Sequence, residues 1–156
     1  FRVELAFDRM EEIEKTEAES EALAGKRLLL AEDDRLCGEI LCELLEDETG
    51  RPVSITANGR AALEMFESAN GEYDAIIMDV QMPVMNGYEA ARAIRRSGCG
   101  NAKTVPIIAL TADASEESAR SAADSGMNGC LAKPVNIDRL RKAVAAALKS
   151  LSVAYR

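Results

Sequence analysis

From about Lys26 onward, two kinds of apolar pattern take turns along the chain. Short, nearly continuous apolar runs alternate with longer stretches whose apolar residues recur every three or four positions, the signatures of buried strands and amphipathic helices. Leu28-Leu29-Leu30-Ala31 is the first short run and ends in Glu32-Asp33-Asp34. Leu36, Ile40, Leu41, Leu44 and Leu45 then fall at helix spacing until Gly50 and Pro52 stop the pattern. Val53 and Ile55 alternate with Ser54 and Thr56, as in an edge strand. Asn58-Gly59 opens a helix through Leu63 and Phe66, and Asn70-Gly71 closes it. Ala75-Ile76-Ile77-Met78 predicts a buried strand ending at Asp79. Past Pro83 and Asn86-Gly87 a helix runs to about Arg96. Val105 to Leu110 predicts the fourth strand, ending at Thr111. Asp113 with Glu116 reads as a capping box that opens a helix over 114–125, closed by Gly126. Gly129 to Ala132 is a last short strand before Lys133-Pro134, and Ile137, Leu140, Val144, Leu148 and Leu151 line a final amphipathic helix.

Strands that are apolar without alternation are strands covered on both faces. Five of them, alternating with helices, predict an α/β fold with a doubly wound parallel sheet, right-handed crossovers and helices on both faces. Such sheets bind ligands beyond the carboxyl ends of their strands.

Residues 1–24 follow a different pattern. They carry eight acids (Glu4, Asp8, Glu11, Glu12, Glu14, Glu17, Glu19, Glu21) against Arg2, Arg9 and Lys15, so most of the chain's net charge of −8 lies there. From Phe7 onward this segment reads as an acidic helical linker with little to bury. Before it, Val3, Leu5 and Phe7 alternate with Arg2, Glu4 and Ala6, as on a strand with one buried face. The predicted organisation is a linker over 1–24 and one domain over 25–156.

Composition narrows the function. A chain of 156 residues that is 47% hydrophobic and 29% charged can bury a single core. Its acidic balance argues against nucleic-acid binding, which needs phosphate-neutralising Lys and Arg. No apolar run is long enough to span a membrane and no signal peptide opens the chain, so a cytoplasmic protein without direct membrane contact is expected. The chain starts at Phe1, as a piece cut from something longer would. Its lack of His removes a His general base, His metal ligands and any phosphohistidine of its own. Cys37, Cys42, Cys99 and Cys130 form no CxxC pair and read as free thiols in a reducing compartment.

Polar groups stand where four of the five predicted strands end: Glu32-Asp33, Asp79, Thr111 and Lys133. For any one of them a loop start is explanation enough; for the set, converging on one rim, it is not. Two carboxylates 4 Å apart repel by about 4 kcal/mol at an effective dielectric near 20. The cluster must therefore recruit a cation or take up a proton. All-oxygen ligands suit Mg²⁺. A lysine and a hydroxyl beside a carboxylate nucleophile, here Asp79, complete the parts of a phosphoryl-transfer site.

Ala31-Glu32-Asp33-Asp34, Ile77-Met78-Asp79-Val80-Gln81-Met82-Pro83-Val84-Met85-Asn86-Gly87, Ile108-Ala109-Leu110-Thr111-Ala112 and Leu131-Ala132-Lys133-Pro134 resemble the motifs of the response-regulator receiver domain, in order and over about residues 26–150. The resemblance implies sheet order 2-1-3-4-5 and a cis peptide at Lys133-Pro134. It implies that Asp79 accepts a phosphoryl group from a phosphohistidine on a histidine kinase or a histidine-phosphotransfer domain. Mg²⁺ would be held by Asp33, Asp79 and the Gln81 carbonyl, with Glu32 acting mainly through water, while Thr111 and Lys133 contact the phosphoryl group. One position departs from the pattern: Cys130 stands where the family usually carries Tyr or Phe, so the resemblance does not carry the usual threonine–aromatic readout over to this chain. Phe1–Phe7 also resembles the last strand of a histidine-kinase ATPase domain, which would make the chain the receiver of a hybrid sensor kinase. The tail would then project and pair with a second copy in a homodimer. As an enzyme the chain would do no more than dephosphorylate itself. No DNA-binding output domain is expected.

Other readings remain. A haloacid-dehalogenase-like phosphatase also uses a strand-end Asp, but wants a second acid where Gln81 stands. A dinucleotide binder needs a glycine-rich first turn, and Glu-Asp-Asp would repel pyrophosphate. A flavodoxin-like module would lack Lys133-Pro134 and the Asp79 cluster. A pseudo-receiver would keep the fold as an interaction module without phosphorylation.

Overall fold

In the computed structural model the backbone is described for residues 2–154 and side chains for 9–151. The elements run α1 (Arg2–Leu23), β1 (Leu28–Ala31), α2 (Arg35–Thr49), β2 (Ser54–Thr56), α3 (Gly59–Ser68), β3 (Ala75–Asp79), α4 (Gly87–Arg96), β4 (Ile107–Thr111), α5 (Glu116–Asp124), β5 (Gly129–Ala132) and α6 (Ile137–Ala154). The five strands form one parallel sheet in the order β2-β1-β3-β4-β5.

Both faces of the sheet are covered, which is why its central strands do not alternate. Leu29, Ile76, Met78 and Ile107 point to one face, where Phe66 of α3, Ile94 of α4 and Ala122 of α5 pack on them. Leu30, Ile77, Ile108 and Leu110 point to the other, under Leu41 and Leu45 of α2 and Leu140 and Val144 of α6. The register pairs Ala31 with Met78, Asp79 with Leu110 and Thr111 with Ala132, so the ends of β1, β3, β4 and β5 lie side by side. The Lys133-Pro134 peptide is cis.

Four local expectations are corrected. Residues 2–7 are helical, part of α1 rather than a strand, and Phe1 lies outside the described residues. A six-residue alternation is a weak strand signal. Without a neighbouring strand, a stretch free of Gly and Pro satisfies its backbone groups internally by extending the helix. The strand on which the ATPase-domain resemblance leaned is therefore absent. The other end of α1 does not project either: Leu23 is fully buried in the core between the sheet and α2 and α6, the Gly25 amide donates to the Thr49 carbonyl at 2.7 Å, and Ser20 donates to Glu48 at 3.3 Å.

Secondly, α5 starts at Glu116 with Ser115 as its N-cap, not at Asp113. Asp113 instead accepts the Ser115 amide at 3.1 Å. The true capping box lies at Asn86 and Glu89, opening α4. Thirdly, β4 begins at Ile107, because Pro106 has no N–H to donate to a ladder. Finally, only part of the apolar arc on α2 faces the sheet. Leu41 and Leu45 are buried, whereas Leu36, Ile40 and Leu44 are exposed.

Candidate functional site

Asp79 is the last residue of the central strand and is only 4% exposed. The chain leaves it through a tight crossing, since a Cβ on Gly87 would run into the Asp79 carbonyl oxygen. That loop also holds a strained residue. Val84 sits at φ +69°, with the Met85 amide donating to the Pro83 carbonyl at 2.7 Å across it, a γ-turn of the rarer hand on a β-branched residue.

The acids come from two strands. Glu32 follows β1 and is buried, while Asp33 is exposed. Carboxylate oxygens of Glu32, Asp33 and Asp79 all lie within 4.8 Å of one another. Asp34 is turned away from them: its carboxylate caps α2 by accepting the Cys37 amide at 2.9 Å, and that bond lowers its pKa. Gln81 is exposed, and its amide donates to Asp79 Oδ1 at 3.3 Å.

Lys133 reaches in from the end of β5. Its Nζ lies 2.9 Å from Asp79 Oδ2 and 2.9 Å from Glu32 Oε2, bridging two carboxylates that would otherwise repel. Partial burial works to lower the Lys133 pKa, but the hydrogen bonds to Asp79 and Glu32 outweigh it and hold the ammonium charged. Glu32 is pushed up, first by its own burial and further by the charge of Asp79, although Lys133 pulls the other way. The shared cation thus only partly balances the acids. A second, hard cation suits the remaining oxygens, and an all-carboxylate donor set with an exposed member at its mouth fits Mg²⁺.

Thr111 stands on the same rim, 7% exposed, with its hydroxyl spent locally. It donates to the Asp113 carbonyl at 3.0 Å and accepts the Asp113 amide at 3.2 Å, closing the turn that leads to α5. Cys130 is half-buried on β5 and packs against the core on the α3, α4 and α5 side of the sheet, as does Tyr88 of α4. Burial raises the Tyr88 phenol, and the neighbouring Cys130 adds to it.

The site therefore collects the carboxylates of Glu32, Asp33 and Asp79, joins Lys133 to Glu32 and Asp79, and leaves Thr111 on the same rim with its hydroxyl turned to Asp113. Two features were not foreseen from the sequence. One is the Thr111–Asp113 turn. The other is the pair of Arg141 and Glu48, Nε to Oε2 2.9 Å, which joins α6 to α2 and, through Ser20, to α1. Nothing in the local pattern marks a contact between residues 93 apart.

This arrangement, a carboxylate cluster crossed by a lysine at the carboxyl edge of a β2-β1-β3-β4-β5 sheet, is suited to phosphoaspartate chemistry. The family profile described as "Response regulator receiver domain" matches residues 28–145. The chain belongs to the response-regulator receiver domain family. Among curated proteins it is similar to Probable histidine kinase 2 of Oryza sativa subsp. indica, 36% identical over 148 residues that cover 87% of this chain and 14% of that protein. The chain thus spans only a small part of such relatives. Among solved structures, a Vibrio cholerae chemotaxis protein superposes with a TM-score of 0.72 at 33% identity, covering 80% of this chain and 99% of that one. The receiver domain of a sensor histidine kinase from Pseudomonas aeruginosa, with a magnesium ion coordinated in its active-site cleft, gives a TM-score of 0.68 at 36% identity and covers 81% and 99%.

Proposed function

We propose that Asp79 takes a phosphoryl group from a phosphohistidine on a histidine kinase or a histidine-phosphotransfer domain. The observation that carries this reading is the Asp79 carboxylate, nearly buried, clustered with Glu32 and Asp33 and bound by Lys133 at 2.9 Å. A carboxylate oxygen of Asp79 forms the new P–O bond as the donor's N–P bond breaks. The leaving imidazole keeps the electron pair and takes a proton from solvent. Lys133 would neutralise the acyl phosphate that results, and the Thr111 hydroxyl, on the same rim, would exchange Asp113 for a phosphoryl oxygen. Asp33, Asp79 and the Gln81 carbonyl would hold Mg²⁺, with Glu32 orienting its water. When bound, the ion offsets the negative charge gathered between donor and acceptor. The magnesium in the Pseudomonas aeruginosa relative's cleft supports this assignment.

The setting proposed is a phosphorelay in the cytoplasm, within a longer sensor-kinase chain. Its support is the likeness to histidine kinases and four cysteines that are all free thiols. No described helix is long and apolar enough to cross a membrane.

The test uses acetyl phosphate with Mg²⁺ as a small donor. The wild-type chain should gain an acid-stable, base-labile phosphoryl label, and Asp79→Asn should gain none, because the amide keeps the shape and removes the nucleophile. Equal labelling of the two would overturn the assignment, and a wild-type chain that neither labels nor binds beryllofluoride would point to an interaction module.

A further inference from the structure

We propose that two copies of this chain pair through α1 and α6, the acidic face of α1 in each copy lying along the basic face of α6 in the other. The inference does not depend on the acceptor reading of Asp79.

The two faces match in spacing as well as in sign. Glu11, Glu14, Ala18 and Glu21 on α1 are all exposed, and so are Arg139, Lys142, Ala146 and Lys149 on α6. Each set steps by three, four and three residues, which at about 100° per residue keeps it in one stripe of its helix. The same step makes the seam of paired helices. Laid in parallel, the stripes set Glu11 against Arg139, Glu14 against Lys142 and Glu21 against Lys149. The one small residue of each, Ala18 and Ala146, then fall together and let the helices approach. Lys15 and Asp138 flank the seam, where parallel helices place their ion pairs, and add a pair of the reverse sign. Asp138 already accepts Arg141 at 2.8 Å, but its side chain is 66% exposed and its carboxylate has room for a second donor. In an antiparallel arrangement Ala18 would meet Lys142 and Glu14 would meet Ala146, so both of those charges would lose their partners.

Neither face is used within one copy. Every residue of α1 from Arg9 to Ala18 is exposed, and a helix that is polar all round lacks the packing that ordinarily stabilises one. The α1 stripe lies opposite Leu23, and the α6 stripe lies opposite Leu140 and Val144, the residues these helices bury. Both stripes therefore point away from the receiver that carries them. None of Glu11, Glu14, Glu21, Arg139 and Lys142 takes part in an ion pair among the described residues.

Charge and symmetry select the partner. An acidic stripe repels another acidic stripe, and a basic one another basic one. A partner with a single kind of face would leave the other stripe bare. A second copy of this chain brings one of each, so two reciprocal contacts close a two-fold dimer. Exposed ion pairs contribute little singly and are screened by salt, which makes the dimer weak and salt-sensitive.

Sedimentation equilibrium of the whole chain reads the association. The wild type should be dimeric at low ionic strength and dissociate as salt is added. Glu14→Lys and Lys142→Glu each set like charges face to face at both contacts, and each should raise the dissociation constant roughly tenfold or more. Mixed in equal amounts, the two variants should associate again, to within roughly threefold of the wild type. In the mixed dimer the reversed acid of one chain faces the reversed base of the other, and the second contact is that of the wild type. These side chains are exposed, so circular dichroism and melting of both variants should match the wild type. A wild type that stays monomeric at low ionic strength would overturn the proposal. So would single variants that associate as the wild type does, which would place the dimer on another face, or a mixture that stays monomeric.

Discussion

Helices α2 and α5 both begin a few residues past strand ends that carry site residues, and they are fastened to the sheet very differently. α2 is capped at both ends, by the Asp34 side chain and by Gly50 at φ +68°, and it drives Leu41 and Leu45 into the core. α5 has nine residues, and of these only Ala122 is buried. Beneath it lies a cavity of about 120 Å³ lined by small or slender side chains, among them Ala119, Ala123 and Cys130. What secures α5 is its carboxyl end, where Arg92 donates to Ser125 at 3.1 Å and Arg95 donates to the Gly126 carbonyl at 2.7 Å. An alanine offers little apolar area at about 25 cal/mol per Å². The acids of the site are thus set beside a bolted helix, whereas Thr111 leads into one that pivots at low cost.

The largest expected effect separates the two helices by stability. Leu45→Ala should cost about 3 kcal/mol in urea unfolding, since it leaves a void in the core, while Ala122→Gly in α5 should cost about 1 kcal/mol. Equal costs would remove the contrast. A second variant tests the bolt on α2. Arg141 donates to Glu48 and holds its carboxyl below the ordinary carboxylate value, so the folded state gains stability above the unfolded pKa and loses it as pH falls through the folded one. Glu48→Gln should therefore cost about 1–2 kcal/mol at pH 7, and the cost should fade in melts taken at progressively lower pH below about 4.5. A cost that does not change with pH would mean the pair contributes no charge-dependent stability.

Smaller effects should show in amide exchange. Backbone amides of α5 should exchange at least tenfold faster than those of α2, a difference of about 1.4 kcal/mol in local opening. Thr111→Val removes the hydroxyl that holds Asp113 and should speed α5 a further fewfold, about 1 kcal/mol, without touching α2. Exchange that rises in both helices, or in neither, would show that the Thr111 turn does not govern α5.

Much of this contrast was legible in the sequence, and its limits have physical causes. The alanines of α5 carry little apolar area to bury, and the strand-end residues announced a shared rim, because the period of a buried strand and the position of its last residue are local properties. Which of five apolar residues on α2 face the sheet is not local. Leu36, Ile40 and Leu44 share the helical spacing of Leu41 and Leu45, and only the width of the sheet beneath decides between them. The cap of α5 was misplaced by two residues because Asp113 and Ser115 both offer a side-chain acceptor, and the Thr111 hydroxyl settles the turn in favour of Ser115. The helical reading of residues 2–7 was lost to a short alternation that no neighbouring strand could use.

One consequence concerns distance. α1 enters at the amino end of β1, and its last turn is part of the core, while Asp79 opens at the carboxyl ends of the strands. Twenty-two residues of helix make a rod about 33 Å long. A domain carried on the far end of that rod would not orbit the receiver as it would on a loose tether. Its effective concentration at Asp79 would be set by the angle of the rod and would approach zero on the wrong side. With such a domain attached, the rod would favour donors that arrive by diffusion or from a second chain, and replacing residues 14–19 with glycine and serine would turn a fixed spacing into an adjustable one.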